Sequence, residues 1–135
     1  MTVRAAFLAL AALTAAAHAT GQTPFSVEVE DGAPRISVGS VLSDRALEEA
    51  VRSGLPLRMR FRVELWRDTW FDDLVQQSMW TTVLAFEPLE QRFLAVGPDA
   101  DSIGRYPTYA RAAAALEQPY TPALGPTRDG TYYYL

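Results

Sequence analysis

The chain has 135 residues, a formal net charge of −4 and no cysteine. A chain of this length can bury one hydrophobic core, and the lack of cysteine excludes disulfide bonds, thiolate chemistry and lipid attachment to a cysteine. All 12 basic residues are arginines, and the chain has no lysine. The negative net charge argues against broad binding to nucleic acid.

Residues 1–19 have the order of a secretory signal peptide. Arg4 gives a positive start, residues 5–17 are apolar apart from one threonine, and Ala17-His18-Ala19 is a small-x-small triplet typical of a signal peptidase site. The apolar run of about 13 residues is shorter than the roughly 20 that a membrane-spanning helix needs. We therefore expect residues 20–135 to form a single exported β-rich domain, periplasmic or extracellular, with no membrane span after cleavage.

A β-hairpin and a short helix are predicted next. Phe25, Val27 and Val29 alternate with polar residues, which predicts a half-buried strand, and Asp31-Gly32 predicts a tight turn into a second strand over residues 35–41. A helix follows, with an N-cap at Ser43-Asp44, apolar residues on one face and Gly54 at its C-terminal end.

The clearest strand runs from Leu55 to Arg67. Its apolar residues fall on one face, and the opposite face carries Arg58, Arg60, Arg62, Glu64 and Trp66. Two more strands are predicted over Leu74–Phe86 and Leu89–Val96, and the later half of the first reads as a central strand buried on both faces.

The C-terminal part predicts a loop over residues 97–104, a helix from Pro107 to about Glu117, an irregular connection and a strand over residues 131–135. Two alternatives stay open for the end: this strand is the true terminus, or the gene product continues beyond Leu135. The element order predicts a mainly β fold, an antiparallel sandwich-like sheet with two short helices, and an α+β arrangement is the alternative.

No catalytic motif is recognisable. The only histidine lies in the predicted signal peptide, and there is no lysine, so no serine could be activated by either residue after cleavage. Asp72 and Asp73 are adjacent and would point to opposite faces of a strand, which makes them a poor acid–base pair. A calcium loop starting at Asp99 would have Ile103 and Ala110 where oxygen ligands are needed. We predict no enzyme activity, no metal site and no cofactor.

The best candidate site is the arginine row, which we define as Arg58, Arg60 and Arg62. These side chains would project from one sheet face about 7 Å apart and could bind an acidic partner. The alternative is that they pair across strands with carboxylates such as Glu87 and Glu90 on a solvated face.

Aromatic residues gather around the hairpin that follows the arginine row. Trp66 lies on the same face as the arginines, which makes it the best candidate for an exposed anchor, and Trp70 completes the predicted partner-binding set. Exposed rings of Trp66, Trp70 and Trp80 would instead suit a small ligand or glycan, whereas buried rings would be core.

The segment from Leu42 to Val96 resembles the bacterial exported family known as domain of unknown function 4390. The matching positions are Gly54-Leu55-Pro56-Leu57, Trp66-Arg67, Trp70, Asp72, Phe86, Leu89, Arg92 and Phe93. The resemblance implies export and a non-enzymatic role in the envelope, and it contains no catalytic motif. We therefore expect a protein-interaction or structural role in the bacterial cell envelope, with an envelope protein as partner, and a glycan- or ligand-binding module is the alternative.

Overall fold

The computed structural model describes residues 25–99 and 103–135. The predicted signal peptide and its cleavage site lie outside the described residues. Within these two ranges, every helix is too short to cross a bilayer.

Strands dominate the described part of the chain, with two short α-helices and one 3₁₀ turn over Ser40–Ser43. The strands and helices, in chain order, are β1 (Phe25–Glu30), β2 (Ala33–Val38), α1 (Arg45–Arg52), β3 (Leu57–Arg67), β4 (Asp73–Glu87), β5 (Arg92–Val96), β6 (Ile103–Tyr106), α2 (Tyr109–Leu116) and β7 (Tyr132–Tyr134).

The strands form two antiparallel sheets. β1 and β2 make a two-stranded sheet, and the larger sheet has the order β6-β5-β4-β3-β7. Ile36 of β2 and Tyr120 join the hairpin to the connection after α2, through backbone hydrogen bonds of 2.8 and 2.9 Å. The predicted fold, a mainly β antiparallel sandwich-like arrangement with two short helices, is confirmed.

The predicted hairpin turn is present, but the predicted burial of β1 is wrong. Asp31 and Gly32 have φ angles of 51° and 80°, the positive values that a two-residue hairpin turn favours. The apolar row of β1 is exposed, at 47% for Phe25, 49% for Val27 and 58% for Val29. The reason is that the hairpin contacts the rest of the fold mainly through β2, whose Ile36 is only 5% exposed.

Both predicted helices begin at a side-chain cap. Asp44 Oδ1 accepts a 2.8 Å hydrogen bond from the amide of Ala46, and Thr108 Oγ1 accepts one of 3.3 Å from the amide of Arg111. Gly54 follows α1 with a φ of 98°, a conformation that favours glycine. Each helix is only eight residues long, so its stability depends on packing against the larger sheet.

Two groups of buried residues lie on one side of the larger sheet, which we call its inner face. The helices cover one half of this face, and the buried cluster there comprises Leu42, Val51, Leu84, Phe93, Ala95, Tyr109, Ala112, Ala113 and Leu116. The hairpin and the segment after α2 cover the other half, where the buried cluster comprises Ile36, Val63, Trp80 and Leu124. The opposite side, the outer face, has no helix or strand packed on it within the described residues.

The sequence did not predict β6, which begins inside the predicted loop. β6 holds a glycine and has only four residues, so it lacks the apolar alternation that identified the longer strands. β5 starts at Arg92 rather than Leu89, and the Leu89 side chain is fully exposed in the preceding turn.

Candidate functional site

β3 places the arginine row on the outer face, as its period of two predicts. Arg58, Arg60 and Arg62 are all exposed, whereas Val63 and Leu65 on the other side are 7% and 0% exposed. On the neighbouring strand, the arginines lie opposite Val83, Thr81 and Met79 respectively. The row therefore faces solvent beside uncharged neighbours.

The predicted alternative pairing of these arginines with Glu87 and Glu90 is wrong. Both carboxylates lie near Arg105 of β6, at 2.9 Å for Glu87 and 3.5 Å for Glu90. The register of β3 against β4 explains why the arginines do not reach Glu87, because the first residue of β3, Leu57, lies opposite Leu84. Glu87 is thus three positions beyond the end of the β3 ladder and out of reach of the row.

Among residues 25–99 and 103–135, only one member of the arginine row has a carboxylate partner. Arg62 forms an ion pair with Glu64, two residues along the same strand and on the same face. For Arg58 and Arg60, no carboxylate oxygen of residues 25–99 or 103–135 lies within ion-pair distance. Positive charge at this end of β3 is therefore not neutralised by the described part of the chain.

Trp66 lies at the other end of the same row and is half-buried. Its indole Nε1–H donates a 2.8 Å hydrogen bond to Glu64 Oε2, so the polar edge of the ring is satisfied within the fold. Its partners in register are Leu74, which is 44% exposed, and Tyr133. The ring thus presents apolar surface without an unpaired donor, as an interface anchor would.

Tyr133 extends this aromatic surface and ties β7 to the β3–β4 turn. Its hydroxyl donates a 2.9 Å hydrogen bond to Asp72 Oδ2. The pKa of the Tyr133 phenol is raised above its usual value, mainly by partial burial and to a smaller extent by the hydrogen bond to the Asp72 carboxylate. The position of Tyr133 beside Trp66 could not be predicted from the sequence, because the pairing of β7 with β3 joins residues far apart in the chain.

The three tryptophans do not share one surface. Trp70 in the β3–β4 turn is 93% exposed, and the adjacent Phe71 is 78% exposed. Trp80 is only 9% exposed and stacks on Phe61 on the inner face, with ring centroids 5.3 Å apart. Trp66 and Trp70 can therefore contact a ligand from outside, whereas Trp80 belongs to the core.

A groove of about 480 Å³ opens between β1 and β7. Its walls include Val27, Val29 and the three tyrosines of residues 132–134, with no Asp, Glu or Arg side chain. Across the described ranges there is no group of three or more His, Cys, Asp or Glu residues placed to hold a metal ion. The groove is therefore apolar and aromatic, whereas the outer face of β3 carries the arginine row.

Comparison with known proteins identifies one family. Neither curated proteins nor solved structures gave a match. A family model described as a domain of unknown function, DUF4390, matches residues 23–133, which include the arginine row, Trp66 and Trp70. The chain therefore belongs to the DUF4390 family.

Proposed function

We propose that this protein is an exported, non-catalytic domain that binds an acidic protein partner in the bacterial cell envelope through the outer face of β3. The arginine row attracts and orients the partner, and Trp66, with Trp70 at the adjacent turn, anchors it. The observation that carries the proposal concerns the described part of the chain: two arginines without a carboxylate partner there, and a half-buried tryptophan, lie in line on a sheet face that no described helix or strand covers.

Physical chemistry supports this division of roles. Arginine and tryptophan are the residues most enriched in binding hot spots, since each desolvates a large planar surface. Exposed charges add to the rate of association and to specificity more than to affinity. The lack of His, Cys and Lys after residue 19 supports a non-catalytic role, because these residues supply most side-chain bases and nucleophiles.

Changing Trp66 and Arg60 together should abolish partner capture. In the double variant Trp66→Ala, Arg60→Glu, both the apolar anchor and the centre of the arginine row are lost. We expect affinity capture from intact envelope, with the full exported chain as bait, to retrieve partners with the wild type and none with the variant. Raising the salt concentration should weaken the wild-type interaction, because exposed charges are screened.

The control is Arg111→Glu, which makes the same charge change on α2, where Arg111 is exposed and far from the row in sequence. It should retrieve the same partners as the wild type. Circular dichroism and urea unfolding should show that all variants are folded. If the double variant retrieves the same partners at the same salt concentration, the outer face is a solvated surface with no role in partner binding.

Export is tested separately. From the order of residues 1–19 we expect the mature protein to begin near Thr20. N-terminal sequencing of the folded product from the envelope fraction should find that start. A product that begins at Met1 or Thr2 would contradict export by a cleaved signal.

A further inference from the structure

β4 and β5 contain apolar runs that are typical of strands covered on both faces. The runs are Val-Leu-Ala-Phe over residues 83–86 and Phe-Leu-Ala-Val over residues 93–96. A strand with one solvated face alternates apolar and polar residues instead. On the inner face these strands are covered, since Leu84, Phe93 and Ala95 are 0%, 1% and 3% exposed. The sequence pattern therefore indicates a second covering layer on the outer face, where no described helix or strand packs.

The outer side of β4, β5 and β6 presents an apolar surface that we call the outer patch. Its side chains are Met79, Val83, Ala85, Leu94, Val96 and Ile103. The register sets Val83, Val96 and Ile103 side by side across the three strands. Met79 and Ile103 are 62% and 55% exposed, and the other four are half-buried. None of the six belongs to either buried cluster, and a contiguous exposed apolar surface of this kind is typical of an interaction site.

The two borders of the outer patch differ in charge. On the β3 side lies the arginine row, in which Arg58 and Arg60 have no described carboxylate within ion-pair distance. On the β6 side, Arg105 pairs with Glu87 at 2.9 Å and with Glu90 at 3.5 Å. An occupant of the outer patch is therefore complementary in charge when its acidic side chains lie along the β3 border.

The backbone of the sheet favours a helical occupant. The hydrogen bonds of a ladder lie in the plane of the sheet, so a sheet face offers side chains but no free backbone partners. A segment that covers the outer patch must satisfy its own N–H and C=O groups, and an α-helix does so along its length. The inner side of the same strands already shows this arrangement, because α2 packs there on β4, β5 and β6.

The dimensions of the outer patch match one helix. Met79 and Ala85 lie about 20 Å apart along β4 at the usual strand rise, which is the length of a helix of about 14 residues. Arg58 and Ile103 end one row of the register, three strand spacings or about 14 Å apart. A helix with its side chains is about 10–12 Å wide. A helix that runs along β4 and β5 therefore covers the apolar side chains and brings one flank beside the arginine row.

A second copy of this chain and a lipid bilayer fit the outer patch less well. The described acidic residues of the outer face include Glu64 and Glu87, and each already pairs with an arginine. A second copy that meets this face with its own outer face therefore brings no unpaired carboxylate from them to the arginine row. An anionic bilayer attracts the arginines but repels Glu87 and Glu90 at the same surface.

We propose that the outer patch binds an amphipathic α-helix of the partner protein, with its apolar stripe on the patch and acidic residues along the flank that faces the arginine row. This inference rests on the proposed function and names the part of the partner that is recognised. Burial of the two apolar surfaces supplies affinity, and the arginine row fixes which flank of the helix faces β3.

A synthetic amphipathic peptide of about 14 residues is the direct probe. It carries leucine at helical spacing on one face, glutamate along one flank, alanine and glutamine elsewhere, and blocked termini. Fluorescence anisotropy with the full exported chain should show binding, and circular dichroism should show that the peptide gains helix in the complex. The same composition in scrambled order should not bind, nor should a version with a central proline, because proline breaks a helix. Failure of the amphipathic peptide to bind, or equal binding of the proline version, would overturn the proposal.

Val96→Thr tests the apolar contact at the centre of the outer patch. The change replaces a methyl group by a hydroxyl of similar size, and we expect it to weaken peptide binding about fivefold. Val27→Thr is the matched control, because Val27 is 49% exposed on β1, outside the outer patch. It should leave the affinity unchanged. Threonine suits a strand as valine does, so both variants should fold, and equal affinities of the two would contradict binding at the patch.

Charge reversal tests the orientation of the helix. Arg60→Glu should weaken binding of the glutamate peptide about fivefold and strengthen binding of a peptide with lysine in place of glutamate. Arg111→Glu makes the same change at an exposed position of α2 and should alter neither affinity. If the wild type binds the two peptides equally, the arginine row does not face the helix and the proposal is wrong.

Two further measurements examine the other occupants. Analytical ultracentrifugation should find the exported chain monomeric, and vesicles of phosphatidylglycerol should not sediment with it. A dimer that Val96→Thr dissociates would assign the outer patch to a second copy. Vesicle binding that Val96→Thr abolishes would assign it to lipid. Either result would overturn the proposal.

The peptide separates this proposal from the proposed function. Failure of the peptide to bind, with capture of envelope partners still dependent on Trp66 and Arg60, would reject the helix and keep the outer-face function. Peptide binding that is sensitive to Val96→Thr, with partner capture unaffected by the double variant, would reject that function and keep the outer patch as a helix site.

Discussion

Replacing Phe93 by alanine is expected to lower the free energy of unfolding by about 3–5 kcal/mol. Phe93 is 1% exposed and lies on β5 where the sheet meets both helices. Its ring centroid is 5.0 Å from that of Phe86 and 5.8 Å from that of Tyr109, and the guanidinium of Arg52 lies 5.0 Å from it. The substitution removes the ring that these three neighbours contact from β4, α2 and α1, so the cost of the cavity adds to the lost burial of the ring.

Phe71→Ala is the matched control, since it removes the same side chain at a position that is 78% exposed. Its effect should stay within about 0.5 kcal/mol. Urea unfolding of both variants, followed by tryptophan fluorescence, measures the difference. Similar losses at the two positions would mean that the burial of β5 under the helices is not as described.

Strand periodicity carried most of the fold prediction. β3 alternates apolar and polar residues from Leu57 to Leu65, so the period of two assigns the arginine row to one face without knowledge of the strand pairing. α1 was equally predictable from the sequence, since Asp44 and Gly54 mark its two ends with residue types that suit those backbone positions.

The burial of β1 could not be predicted, because alternation shows which side chains share a face and not whether that face is covered. Phe25, Val27 and Val29 have the pattern of a half-buried strand, yet the hairpin packs through β2. In the same way, the alternation could not show that Trp80 lies on a covered face and Trp66 on the opposite face, although both belong to one hairpin.

Trp80→Ala should also cost about 3–5 kcal/mol, because Trp80 links three separate parts of the chain. Its ring is 9% exposed, stacks on Phe61 of β3 and meets Tyr120 edge-on with centroids 4.8 Å apart. Tyr120 in turn pairs with Ile36 of the hairpin. Loss of the Trp80 ring therefore removes the packing through which the hairpin and the segment after α2 rest on the larger sheet.

Trp70→Ala tests whether this loss depends on position, since Trp70 is 93% exposed in the β3–β4 turn. Its change in unfolding free energy should stay within about 0.5 kcal/mol, measured by urea unfolding with circular dichroism so that losing a fluorophore does not affect the readout. Comparable destabilisation by the two substitutions would show that the turn is packed rather than exposed. A stable Trp70→Ala variant with weaker partner capture, beside a destabilised Trp80→Ala variant, would assign Trp70 to the binding surface and Trp80 to the core.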